Sequence, residues 1–166
     1  SAYIGERLNR RHRPGRALER VMYSWDIVCD YGIFRDLQRH RIVNDLTRQQ
    51  LTPRYGYDIP ELVEKAHMTD MFINSFDASL ELYSALQQAG KDIEAQYGVL
   101  FGHKMRWKIT MNAREAMHFI ELRSSPQGHP GYRKIAKQMY DTIAGVHPMI
   151  SEAIQFVNQS EDPALT

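Results

Sequence analysis

Arg35, Arg39, His40 and Arg41 fall within a single stretch, Arg35-Asp-Leu-Gln-Arg39-His40-Arg41, and Thr52-Pro53-Arg54-Tyr55 follows closely. Read as a helix, the stretch puts Arg35 and Arg39 on one face, with His40 and Arg41 fanning round the next turn. Each guanidinium is permanently charged, so three held this close repel one another unless something anionic sits among them. Their forked donors match phosphate or carboxylate oxygens in a bidentate way. That chemistry asks for a phosphorylated ligand. The alternative is a solvated basic face paired with Asp36 and Asp45.

A second constellation begins at Asn112-Ala-Arg114-Glu115, a capping-box pattern that opens a helix through Leu122. At about 100° per residue, His118 lies about 40° round from Arg114, whereas Arg123 lies about 180° away. Arg114 and His118 can therefore touch one ligand while Arg123 faces another. Taken singly, each has a plainer reading: Asn112 as an N-cap, His118 as a surface histidine, Arg123 as a cation near the helix C-terminus.

The elements that must carry these groups are legible in part. Residues 1–17 are polar, arginine-rich and broken by Pro14-Gly15, which reads as an arm. Val21, Tyr23, Trp25 and Ile27 alternate with polar neighbours, predicting a strand over 20–28. A helix then carries the arginine cluster to about Arg41, and 42–60 reads as an ordered polar loop. Asp58-Ile-Pro60-Glu61 signals a helix start, and Phe72, Phe76, Leu80 and Tyr83 extend it as one long amphipathic helix to about 89. A shorter helix reaches about Tyr97. Met105, Trp107, Ile109 and Met111 alternate with Lys104, Arg106, Lys108 and Thr110, predicting a strand with one apolar and one basic face. After the Asn112 helix, Ser124–Gly131 is a loop, Ile135 to Val146 a helix, and Pro148 starts a last helix to about Val157. The class is α+β, a small sheet with long helices. The organisation expected is an arm over 1–17, one domain over 18–158, and a frayed tail over 159–166.

The 166 residues suffice for one domain with a substantial core. The net charge of +1 gives no global polyanion signal, yet residues 1–54 carry eleven arginines, no lysine and six acids. Arginine without lysine favours shaped anion recognition over a diffuse basic surface. Cys29 is the only cysteine, which excludes a disulfide framework or a cysteine metal site within one chain. No metal site is expected. No apolar run approaches a membrane span and no signal peptide is visible, so a cytoplasmic protein is expected.

Together these segments resemble the flavin-dependent thymidylate synthases. That family's first signature runs Arg-His-Arg, a spacer, a serine, then Arg-Tyr; Arg39-His40-Arg41 and Arg54-Tyr55 match its two ends. Its second signature is a strand running into Asn-Ala-Arg, then Asn or His, then Leu-Arg. Here it reads Asn112-Ala-Arg114-Glu-Ala-Met-His118-Phe-Ile-Glu-Leu122-Arg123, without a gap. Arg16 to Glu19 is similar to a further family segment ahead of the first strand.

The resemblance implies a ThyX-like fold and reductive methylation of dUMP to dTMP. Methylenetetrahydrofolate supplies the carbon, NADPH the electrons, and FAD carries the hydride. By matched position, Arg39, His40, Arg41, Asn112, Arg114 and His118 would bind FAD. Arg54, Tyr55 and Arg123 would hold dUMP, with Arg39, Thr52 (in the place of the family serine) and Arg123 serving catalysis. It also implies a homotetramer with sites shared between subunits.

The departures gather on the dUMP side. The spacer between Arg41 and Arg54 is three residues longer than the family's. Gln49-Gln50 replaces an Asn-Glu pair, which removes an anionic acceptor. Gln96 stands where an arginine would grip the nucleotide phosphate, Asp36 replaces a glutamine, and Gly128-His129-Pro130-Gly131-Tyr132 replaces Ala-Gln-x-Glu-Ile. A chain that starts at Ser1, ahead of which family members have a further strand and helix, reads as part of something larger, such as the C-terminal copy of a tandem protein. Three functions follow: the synthase or its C-terminal portion, an inert homologue that binds FAD or completes a partner's site, and a nucleic-acid-binding module built on the arginine-rich arm.

Overall fold

The structure is a computed structural model that describes residues 4–160. Apart from its first two residues, the tail expected over 159–166 lies outside the described residues. A three-stranded antiparallel sheet has the order β1 (Met22–Asp30), β3 (Lys104–Asn112), β2 (Asp45–Arg48). The two long strands lie where period-two alternation predicts them, and they share one sheet. The fold is α+β, a small antiparallel sheet with helices.

The chain divides into two compact units. The first holds the described residues up to Asp26, Asp36–Thr47, and those from Lys108 onward. In it, Ser24 Oγ meets Thr110 Oγ1 across the sheet at 2.8 Å, and Ala113 N–H donates to Val21 O at 2.7 Å. β3 runs straight into α5 (Ala113–Arg123), whose Asn112 cap accepts from Glu115 N–H at 2.9 Å. α5 buries Ala113, Ala116, Met117, Phe119 and Ile120 against α6 (Pro130–Val146), which contributes Ala136, Met139 and Ile143. A 3-10 turn over Arg16–Arg20 packs on α5 and buries Leu18.

The second unit comprises Ile27–Arg35 and Arg48–Trp107. Its core joins Cys29, Phe34, Phe76, Tyr83, Met105 and Trp107. The Phe34 ring meets Trp107 edge-on at 5.1 Å, and Trp107 Nε1–H donates to Cys29 Sγ at 3.3 Å. Gly102 is required there because a Cβ would lie 2.7 Å from the Phe76 ring.

Five expectations about elements are corrected. α1 spans only Tyr31–Leu37, so Arg39 to Arg41 lie beyond it and the four-residue helical spacing of Arg35 and Arg39 does not form. The chain leaves the helix because His40 N–H turns back to Leu37 O and the His40 ring is buried. The loop 42–60 contains β2, an edge strand with only Leu46 half-buried and so without alternation. The long helix is two, α2 (Glu61–Lys65) and α3 (Thr69–Gln88), separated at His67, whose φ of 55° no helix tolerates. Asp58 pairs with Lys104 at 2.6 Å rather than capping. The short helix expected to about Tyr97 forms as α4 (Asp92–Ala95) and a 3-10 turn over Gln96–Gly98, whereas α7 (Pro148–Ser151) ends well short of Val157.

Candidate functional site

The β3–α5 junction opens onto a cavity of about 520 Å³ in the first unit. Asn112, Arg114, Glu115, His118 and Leu122 line it from the helix, spaced by the helical repeat. Arg123 is absent from that lining, as the half-turn offset requires. The opposite wall is the arm: Arg7, Arg10, Arg11, His12, Arg13 and Pro14, with Glu19 and Ile42 completing the rim.

His40 ties the Arg-His-Arg triplet to this helix. Its Nε2 lies 2.5 Å from Glu115 Oε1, its ring stands edge-on to Phe119 at 5.0 Å, and the His118 ring lies 5.8 Å away. Glu115 therefore gives its backbone N–H to the Asn112 cap while its carboxylate serves His40 instead of reaching back to Asn112. Arg39 and Arg41 are exposed.

Arg114 is already engaged. Its Nε donates to Pro14 O at 3.0 Å and its Nη1 to Glu19 Oε1 at 2.9 Å. The hydrogen bond from Arg16, and the charges of Arg16 and Arg114, hold the Glu19 carboxyl below its usual range. Arg7 is the anchor of the arm. Its two Nη atoms grip both oxygens of Glu121 at 2.7 and 2.6 Å, its Nε donates to His12 O, and its Nη1 also reaches Ala153 O. Both side chains are almost wholly buried, 3% and 0% exposed.

Arg123 lies over the Tyr132 ring at 5.7 Å, and its buried Nε has no hydrogen-bond partner. A Cβ on Gly128 would sit 2.6 Å from the same ring, so only glycine lets Tyr132 occupy that place. The residues that replace the family's Ala-Gln-x-Glu-Ile thus build a platform for Arg123.

Thr52, Arg54 and Tyr55 belong to the second unit. Thr52 Oγ1 accepts from Arg54 N–H at 3.3 Å and caps the turn Pro53–Tyr55, while the Arg54 side chain is exposed. Tyr55 O–H donates to Gln49 Oε1 at 2.5 Å, and Gln96 Oε1 accepts from Leu51 N–H at 3.0 Å. Two departures from the family pattern therefore brace the loop that carries Thr52 and Arg54.

The model of the thymidylate synthase complementing protein family matches residues 2–149. The chain belongs to that family. Among thymidylate synthase complementing proteins and their relatives, it is 37% identical over 158 residues to the UPF0159 protein Ta1429 of Thermoplasma acidophilum, covering 95% of this chain and 32% of that one. A UPF0159 protein of Chlamydia muridarum is 38% identical over 155 residues, covering 93% and 29%. The chain spans about a third of the length of these curated relatives. A flavin-dependent thymidylate synthase of Sulfolobus acidocaldarius is 28% identical over 156 residues, covering 84% of this chain and 56% of that one. The fold is that of ThyX from Helicobacter pylori, solved with FAD and dUMP, at a TM-score of 0.65, 24% identity, and coverage of 86% and 76%.

Sequence reasoning missed Arg7, Glu121 and Glu115. A signal for Glu121 existed: it shares the apolar stripe of α5 with Met117 and Ile120, and a buried acid demands a cation. Nothing local pointed to Arg7, which lies 114 residues away. Among the described residues no cluster of His, Cys, Asp or Glu could hold a metal ion, and no helix is long and apolar enough to cross a membrane.

Proposed function

We propose that this chain forms the flavin-binding portion of a flavin-dependent thymidylate synthase, which converts dUMP to dTMP with methylenetetrahydrofolate, FAD and NADPH. The observation that carries the reading is the cavity at the β3–α5 junction, lined by Asn112, Arg114 and His118, with His40 fastened to Glu115 behind it. Its volume suits a cofactor, and the donors around it suit an anionic one. FAD supplies the hydride chemistry when bound; the protein binds, orients and screens it. Asn112, His118 and the free Nη2 of Arg114 border the FAD, and the Arg-His-Arg triplet carries Arg39 and Arg41 beside it. Arg123, with one buried donor still unpaired, is the group for the dUMP anion. By matched position, Arg54, Tyr55 and Thr52 are assigned to dUMP and catalysis. The active form is a homo-oligomer, most simply a tetramer, or the chain joined to an N-terminal tandem copy.

A second reading, an inert homologue that binds FAD, draws on Gln96. Its amide is committed to Leu51 N–H, and a neutral side chain offers no charge to a nucleotide phosphate. Tritium release from carbon 5 of dUMP, with FAD, NADPH and methylenetetrahydrofolate present, separates the two. The isolated chain is expected to bind FAD more tightly than dUMP and to turn over weakly or not at all. Release by a longer native form only supports the synthase; release by neither form supports the inert homologue.

A further inference from the structure

The two acids that line the cavity at the β3–α5 junction, Glu19 and Glu115, are committed, as is Glu121, which anchors the arm. Glu19 holds Arg114 and Arg16, Glu115 holds His40, and Glu121 holds Arg7. Arg10, Arg11 and Arg13 line the same cavity, and among the described residues none of their side chains has a hydrogen-bond or acidic partner. Their charges are permanent and lie within four residues of one another, so they raise the local potential until an anion enters. His12 lies between them; its Nδ1 accepts from Leu8 N–H at 3.3 Å, which in the neutral ring leaves Nε2–H as a further donor.

The segment is held in place to do this. Arg7 anchors its start through the buried pair with Glu121, and Arg114 anchors its end through Pro14 O. Between these points Asn9 O accepts from His12 N–H and Asn9 Oδ1 from Arg11 N–H, so the backbone is turned and not extended. Arg114 spends two of its three nitrogens on that anchorage. Of the guanidiniums that line the cavity, Arg114 keeps only Nη2 for an anion, whereas Arg10, Arg11 and Arg13 keep all their donors.

We infer that Arg10, Arg11 and Arg13 form a phosphate-binding wall, and that this cavity takes a small ligand with at least two linked phosphates, gripped from the arm rather than mainly from Arg114. The wall faces a half-open cavity of about 520 Å³ shared with Asn112 and His118, a concave volume that suits a nucleoside diphosphate group better than a polymer lying across a flat face. Where the ligand is FAD, this rests on the flavin reading above and places its pyrophosphate on the arm. The phosphate wall itself does not need the flavin ring.

The test is calorimetric titration of the whole chain with ADP and with FAD, repeated on Arg10→Gln, Arg11→Gln, Arg13→Gln and the triple variant. All three positions are exposed, so folding should survive, and thermal melts check it. Each arginine that meets phosphate should cost about 10-fold or more in ADP affinity, and Arg→Lys at the same positions should recover part of the loss. Arg20→Gln, an exposed arginine outside the cavity lining, should bind ADP as the unaltered chain does. ADP binding that follows the arm without FAD binding would keep the phosphate wall and remove the flavin reading. FAD binding indifferent to the triple variant would do the reverse. The proposal is overturned if Arg114→Gln alone abolishes ADP binding while the arm variants retain it. It is overturned equally if ADP does not bind, or if a single-stranded oligonucleotide binds through the arm and ADP fails to compete.

Discussion

His40 Nε2 and Glu115 Oε1 are 2.5 Å apart, although 75 residues separate them in the chain. The contact couples the triplet Arg39-His40-Arg41 to the helix that presents Arg114 and His118. Two sequence signatures that look independent are therefore one mechanical unit, and the position of the triplet depends on the carboxylate of Glu115.

Replacing His40 by alanine removes the partner of a half-buried carboxylate. A hydrogen bond to a charged group contributes about 1.5–3 kcal/mol, and the loss should appear in urea unfolding of His40→Ala. Glu115→Gln keeps an acceptor and should cost less than Glu115→Ala. Equal unfolding midpoints for all three variants and the unaltered chain would show that the contact carries no stability.

The buried pair of Arg7 and Glu121 should be the most sensitive point of the first unit. Removing one partner strands a charge, at about 3–5 kcal/mol, whereas replacing both by apolar residues can be near neutral. Glu121→Ala should therefore lower the melting temperature sharply, and Arg7→Met with Glu121→Leu should restore most of it. A double variant as weak as the single one would remove the ion-pair explanation.

Cys29 offers a pH test. Burial pushes its thiol up to about 11, from an ordinary value near 9, despite the opposing hydrogen bond from Trp107. The native state favours the neutral thiol, so stability is full below pH 9 and falls as pH rises from 9 through 11. A rise of that size corresponds to about 2–3 kcal/mol. Urea midpoints should decline across that window, and Cys29→Ala should flatten the decline. At pH 8, alkylation by iodoacetamide should follow unfolding and not precede it.

An exposed apolar face on α3 allows the expectation of self-association to be tested. On α3, Met71, Ser75, Ala78 and Leu82 share one face, with Met71 63% and Leu82 52% exposed. Sedimentation velocity at micromolar concentration should show an oligomer, and Met71→Glu with Leu82→Glu should dissociate it. A strict monomer in the unaltered chain would leave the shared-site expectation without support.

The strands and α5 were readable because alternation and an N-cap are local patterns that burial reinforces. Met105, Trp107, Ile109 and Met111 announce β3 without outside help. The end of α1 was not readable, since the contact that captures His40 comes from a residue far along the chain. The break between α2 and α3 hides in one residue of positive φ, His67, within a pattern that otherwise suits a helix. At the site, the helix spacing that sets Arg114 and His118 apart from Arg123 was local and legible. The occupancy of Arg114 by Glu19 and Pro14 O was not, because it depends on how the arm folds back.

That folded-back arm also bears on inheritance. Arg7 and Glu121 are locked so tightly that neither can change usefully without the other, and an intermediate carrying one alone would be crippled. Across related chains the two positions should therefore be kept together or exchanged together. A lineage that discards the arm should show an apolar residue in place of Glu121, leaving a mark on α5 of a segment no longer present.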